Sequence, residues 1–198
     1  MLSYGVLYLA WKSCNPVKLI EISQIQGVKF SSIDKFHDFR GTFIKTSPDD
    51  FLEGKEFSIA LSLNPKAGTI RGIHFQIEPF AEEKLISCIQ GSTFEIIIDL
   101  RPDSVTCGQI ATFELSEQNN LQVYLPKGIA HGFQTITSNT IVHYCLTSEF
   151  SRGASFAINP LDDINIEWPI SDYLISDKDS QGISLETAIL RYSQSTKA

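Results

Sequence analysis

Short runs rich in Ile, Val, Phe and Thr recur along the chain, divided by Gly, Pro, Asn and Asp, and helical periodicity is almost absent before the C-terminal tail. Phe57–Leu63, Thr69–Ile77, Lys84–Ile89, Ser92–Leu100, Gln109–Leu115, Leu121–Leu125, Gly132–Ile136 and Thr140–Leu146 each read as a strand. Even spacing with turns between them predicts an antiparallel sandwich or barrel. Asn64-Pro65-Lys66-Ala67-Gly68, Arg101-Pro102-Asp103 and Pro126-Lys127-Gly128 supply turn chemistry. The tail Ser184–Tyr192 predicts a helix with Leu185, Ile189 and Leu190 on one apolar face. The pattern is that of an all-β domain with a small helical appendage.

At 198 residues, 42% of them hydrophobic, the chain suits one domain and can bury a core unaided. Residues 1–17 read as an N-terminal extension and 18–198 as a single domain. A net charge of -7 argues against a nucleic-acid binder, which needs a dominant basic face. A small anionic ligand stays compatible if a few basic side chains gather in one pocket. No apolar stretch reaches the length of a membrane span. The apolar start lacks a basic flank and a cleavage site, and Cys14, Cys88, Cys107 and Cys145 show no metal spacing. A cytoplasmic protein with reduced cysteines is expected.

Candidate chemistry begins at Gly68-Thr-Ile-Arg71-Gly-Ile-His74-Phe-Gln76. Strand alternation puts His74 and Gln76 on one face and Arg71 on the other, unless Gly72 hosts a bulge. Lys84, Gly91 and then Pro126-Lys-Gly128-Ile-Ala-His131-Gly-Phe133 follow. That layout resembles the two motifs of the cupin superfamily. Metal-binding cupins have a second His where Gln76 stands and a Glu where Lys84 stands. An amide and an ammonium are poor ligands for a divalent cation, so no metal is expected. A histidine base near a fixed ammonium instead suits proton removal beside a developing oxyanion.

In order, Asp38-Phe-Arg40-Gly41, the His74 segment, Lys84-Leu85, Asp99-Leu-Arg101 with Ser104-Val-Thr106, the His131 segment, Tyr144, Ile166-Glu-Trp168-Pro169 and Ile175-Ser-Asp-Lys178-Asp179 resemble the dTDP-4-dehydrorhamnose 3,5-epimerase family. The resemblance implies a double-stranded β-helix (a cupin jelly-roll barrel) with a few short, mainly C-terminal helices, and a cofactor-independent isomerase of deoxysugar biosynthesis. The implied substrate is a dTDP-linked 4-keto-6-deoxy sugar inverted at C3, C5 or both through an enolate. By the same resemblance His74 is the base, Asp179 its orienting carboxylate, Lys84 the partner of the enolate oxygen and Tyr144 the opposite-face acid. Asp162 and Asp163 are alternative carboxylates on chemistry alone. Arg71, Gln76, His131 and Lys178 would bind substrate. Arg40 would reach the nucleotide, in the family often the neighbouring subunit's, and a homodimer with an N-terminal strand on the partner's sheet is implied.

Several positions depart from the family pattern. Phe150 replaces a usual Tyr, Ser155 and Lys45 replace Glu, Ile59-Ala60-Leu61 replaces a polar Gln-Asp-Asn run, and Cys145 replaces Lys. These leave the proton-transfer set intact but change the groups for base and sugar recognition. A single-carbon epimerase of another 4-keto sugar nucleotide, or a non-catalytic cupin that binds such a sugar, therefore stays open; a binder has no need of both Tyr144 and Asp179.

Overall fold

Two kinds of strand follow from the hydrophobic pattern, those apolar on alternate residues and those apolar throughout. A computed structural model describes residues 24–161, 164 and 166–197. The expected extension 1–17, with Cys14, and the alternative carboxylates Asp162 and Asp163 lie outside these residues. The first sheet orders β1 (Lys29–Ser32), β9 (Leu121–Leu125), β6 (Lys84–Gln90), β11 (Thr140–Leu146) and β4 (Ser58–Asn64). The second orders β12 (Ser155–Ala157), β5 (Ile70–Gln76), β10 (Ile129–Thr135), β7 (Ser92–Asp99) and β8 (Ile110–Ser116). A separate hairpin pairs β2 (Asp34–Asp38) with β3 (Gly41–Lys45). All named pairings are antiparallel, and within the two large sheets every pair except β7–β8 joins strands that are not consecutive in the chain, as the jelly-roll expectation requires.

The inner faces of the two sheets enclose Phe30, Ile86, Ile97, Val123, Leu125, Phe133 and Val142 at one end of the barrel. Each such buried side chain contributes roughly 1.5–3 kcal/mol of transfer free energy. The outer face of the second sheet is covered as well: Ile73, Phe75, Ile96 and Ile98 pack under Ile158, Ile164 and α3 (Leu185–Ser195). Burial on both sides explains why Ile96-Ile97-Ile98 is apolar without alternation. The predicted tail helix forms, capped by Ser184, whose hydroxyl accepts from the Thr187 amide. Its buried stripe runs through Ala188 and Tyr192, with Leu185 and Ile189 packed beside them, whereas Leu190 faces solvent. Leu190 falls off the stripe because the i, i+4, i+7 ridge from Leu185 passes through Ile189 and Tyr192.

The predicted strands are present within a few residues; the fragment at Gly132–Ile136 extends back to Ile129. Cys88 and Cys145 are buried and unpaired, and Cys107 is also free. No helix among the described residues is long and apolar enough to cross a membrane.

Candidate active site

The inner face of the barrel opposite the apolar core is hollow, forming a cavity of about 570 Å³. Both sheets contribute to its wall: Arg71, His74 and Gln76 from β5, His131 from β10, Lys84 from β6, Tyr144 from β11, and the small residues Ser58, Ala60 and Ser62 from β4. Lys178, from the short helix Asp177–Ser180, and Phe150, from a loop, stand at the wall, with the Lys178 ammonium 5.8 Å from the Phe150 ring centroid. His74, Lys84 and Tyr144, widely separated in sequence, therefore meet in one space.

Arg71 reaches this space through backbone geometry. His131 pairs with His74 and Phe133 with Arg71, so two steps on β10 oppose three on β5. That is the bulge Gly72 was suspected of hosting, and it turns Arg71 onto the His74 face. Gly72 has φ +111°, and a Cβ there would lie 2.6 Å from the Cα of Gly132 and 2.8 Å from the His131 carbonyl oxygen. The Arg71 Nε donates to Asn64 Oδ1 at 2.8 Å, and Asn64 is itself held by its amide to the Thr140 and Ser62 carbonyls. The rest of the guanidinium is left for an anion, in a geometry suited to phosphate oxygens.

His74 is the more open histidine, its side chain 39% exposed, and its Nε2 lies 2.7 Å from Asp179 Oδ1. Asp179 sits in α2 (Asp177–Ser180), with Ser176 as the cap, and its second oxygen accepts from the Gly72 amide at 3.2 Å. The bulge thus presents both Arg71 and the amide that fixes the carboxylate behind the base. Burial pushes the Asp179 carboxyl up, but the bonds from His74, Gly72 and Ser176 outweigh it and hold the group below the usual carboxylate range. It stays charged at neutral pH. With Nε2 tied to that carboxylate, Nδ1 is the nitrogen available to the cavity.

A lowered carboxyl pKa adds stability that is present above the unfolded value near 4 and is lost as pH falls through the folded value. Asp179→Asn is therefore expected to flatten the fall of Tm below about pH 4. Thermal melts of both proteins between pH 2 and 6 read this directly; parallel curves would show that the carboxylate carries no such linkage.

A second carboxylate–histidine pair lies beside the first. His131 is buried, and its Nε2 is 2.6 Å from Glu95 Oε2. Glu95, fully buried on β7, accepts from the Thr93 hydroxyl through its other oxygen. Burial lowers the His131 pKa and the Glu95 charge opposes that, with Lys84 and His74 nearby adding to the lowering. Lys84 points into the cavity and pairs with Glu82 at 3.3 Å. The His131 ring meets Tyr144 edge-on, centroids 6.2 Å apart. Burial first, then the charge of Glu95, pushes the Tyr144 phenol well above its ordinary value, so it keeps its proton at neutral pH.

Glu95, Glu82 and Asn64 were not anticipated. Glu95 had a legible signal: it is the one charged residue inside the run Ser92–Ile98, and a buried charge demands a partner. The expected substrate-binding residues divide. Arg71, His131 and Lys178 line the cavity, whereas Gln76, though at its wall, gives its amide to the backbone. Arg40 lies away from it, at the exposed turn of the β2–β3 hairpin, ion-paired with Asp38 at 2.5 Å. At the two positions where metal cupins carry further ligands stand the amide of Gln76 and the ammonium of Lys84. Among the described residues no group of three or more His, Cys, Asp or Glu is placed to hold a metal.

Known proteins resemble this chain in both sequence and fold. The family model described as dTDP-4-dehydrorhamnose 3,5-epimerase matches residues 22–187. A dTDP-4-dehydrorhamnose 3,5-epimerase of Sinorhizobium fredii is 36% identical over 168 residues, 81% of this chain and 86% of that one. A dTDP-4-dehydrorhamnose 3-epimerase of Streptomyces niveus is 31% identical, covering 83% and 82%. The crystal structure of a dTDP-4-dehydrorhamnose 3,5-epimerase from Bacillus anthracis, with TDP and PPi bound, superposes with a TM-score of 0.77 at 36% identity, over 85% of this chain and 99% of that one.

Proposed function

The chain belongs to the dTDP-4-dehydrorhamnose 3,5-epimerase family, and we propose that it inverts a dTDP-linked 4-keto-6-deoxy sugar with His74 as base and Tyr144 as acid. It is an isomerase of deoxysugar biosynthesis. The observation that carries the residue assignment is the placement of His74, on one sheet, and Tyr144, on the other, in the wall of a single cavity.

The chemistry follows from the substrate's ketone. Protons on C3 and C5 lie alpha to C4, and His74 Nδ1 takes one of them. The carbon's electron pair then forms the enolate double bond, and negative charge moves to the C4 oxygen. The Lys84 ammonium faces that oxygen, where a fixed cation in a water-poor site is worth most. Asp179 stabilises the imidazolium that results, as an orienting carboxylate does behind other catalytic histidines. Tyr144, still protonated, gives its proton to the opposite face of the carbon, which completes inversion. His74 and the Tyr144 phenolate then return to their starting states by exchange with solvent. His131, held by Glu95, and Arg71, held by Asn64, take the sugar and diphosphate, and Lys178 meets the diphosphate at the mouth.

The family model and the Sinorhizobium relative favour inversion at both carbons. The comparable identity to the Streptomyces niveus enzyme favours a second reading, inversion at C3 alone. A homodimer completes the proposal. The outward face of edge strand β4 exposes Ile59, Leu61 and Leu63, and the detached hairpin exposes Phe36, Phe39 and Phe43, an extent of apolar surface that a second copy would cover. Arg40 on that hairpin would reach the partner's nucleotide.

The test supplies dTDP-4-keto-6-deoxyglucose to the wild type and to Tyr144→Phe, with the epimeric product read from its ring-proton couplings. Wild-type enzyme is expected to form the inverted sugar. Tyr144→Phe is expected to lose inversion while retaining most isotope exchange with solvent, since proton removal by His74 needs no opposite-face donor. Equal loss of exchange and inversion would remove Tyr144 from the acid's role.

A further inference from the structure

The loop between β11 and β12 carries three residues of the cavity wall, Ser148, Glu149 and Phe150, with no strand to hold it. Phe150 is 70% exposed, so packing does not fix it either. The ends of the loop bond to neighbouring backbone at Thr147 and Ala154, and its middle, at Glu149 and Ser151, is tied to the barrel by one buried side chain at the end of β5. The Gln76 Nε2 donates to the Glu149 carbonyl at 3.1 Å and to the Phe80 carbonyl at 3.0 Å, while its Oε1 accepts from the Ser151 amide at 2.8 Å. Both amide hydrogens are thereby spent, and a single oxygen lone pair is left over. The three bonds tie the backbone on either side of Phe150 and the Phe80 turn to one strand end, where the Ile77 amide also bonds the Ala154 carbonyl.

We infer that Gln76 is a positioning residue: it serves substrate binding by clamping the 149–151 backbone and setting Phe150 at the cavity mouth, and it makes no contact with the sugar through its amide hydrogens. The inference rests on the cavity being the substrate site, as proposed above. The residue type fits this task. A histidine or glutamate at the position offers no pair of donors to two carbonyls and an acceptor to an amide at once, and only a primary amide does so. The Gln76 side chain is buried and the three bonds are part-buried, so removing it takes a partner from three backbone groups.

Gln76→Leu removes all three bonds at similar volume. Gln76→Glu keeps the acceptor for the Ser151 amide and turns the donors into a carboxylate facing two carbonyls. Both are expected to speed trypsin cleavage after Arg152 and chymotrypsin cleavage after Phe150 in the native protein by about tenfold, the scale of one net hydrogen bond. This readout needs no activity, so it stands even if the substrate assignment fails. In kinetics both variants are expected to raise KM about tenfold, with a smaller fall in kcat. In a Phe150→Ala background the same changes should add less than about twofold to KM, because the positioned group is already gone. The inference is overturned if cleavage is unchanged in both variants, if Gln76→Glu keeps the wild-type KM while Gln76→Leu does not, or if the KM effect persists undiminished without the Phe150 ring. The second and third outcomes would mean direct contact with substrate.

Discussion

His74→Ala is expected to lower the rate of deuterium incorporation at the carbons beside the ketone by about 10²–10⁴, the usual share of a positioned general base. Removing the imidazole deletes the only histidine of the cavity whose side chain is substantially open, because its neighbour His131 is buried and committed to Glu95. Binding should survive. Arg71, His131 and Lys178 remain in the wall, so dTDP affinity measured by calorimetry is expected to change by less than about threefold, as for a residue that acts only in the transition state. The conservative test is His74→Asn, which keeps a polar group toward Asp179 and loses the base. A His74→Ala protein that exchanges label at the wild-type rate would transfer the base's role elsewhere, with His131 as the candidate.

Gly72→Ala is the second large effect expected, and it acts on stability and chemistry together. The added methyl would sit 2.6 Å from Gly132 Cα, and a φ of +111° is strained for any residue with a side chain. Gly132 crosses at the same point, where a Cβ would lie 2.9 Å from the Arg71 carbonyl oxygen, so neither strand can yield to the other. Backbone strain and overpacking of this kind together cost about 3 kcal/mol, roughly 10 °C in Tm for a chain of this size. Relaxation of the bulge would also disturb the Gly72 amide's bond to Asp179 and the placement of Arg71. A folded variant is therefore expected to lose activity beyond what its stability explains. Thermal melts together with turnover at a temperature well below both midpoints separate the two losses. A melt unchanged from wild type would show that the bulge accepts a side chain.

Much of the fold was legible because strands declare themselves by composition and turns. The elements that escaped were those held by tertiary contacts. The strand β12 is three residues long and exists by pairing with His74, Phe75 and Gln76. The hairpin β2–β3 is exposed, so no hydrophobic alternation marks it. Leu190 lies off the apolar face that the pattern predicts for it, because Tyr192 continues the stripe begun by Leu185 and Ile189. In the site, the resemblance located His74, Lys84, Tyr144 and Asp179, and the bulge at Gly72 was raised from strand parity but could not be resolved without the partner register. Glu95 was visible as a lone charge in an apolar strand, yet its partner His131 lies 36 residues away and only strand pairing brings them together. The resemblance assigns Gln76 to substrate binding; that its amide turns to a loop beyond β11 is a property of the chain's return path, which strand periodicity does not encode.

The most direct measurement places wild-type enzyme with dTDP-4-keto-6-deoxyglucose in heavy water and follows the C3 and C5 proton signals by NMR from the first turnovers. Loss of one or both signals, with deuterium in the inverted product, is the expected result; loss at C3 alone would assign the single-carbon reaction. Tight binding of the substrate with both signals retained would contradict proton transfer at this site and leave the cavity a binding pocket.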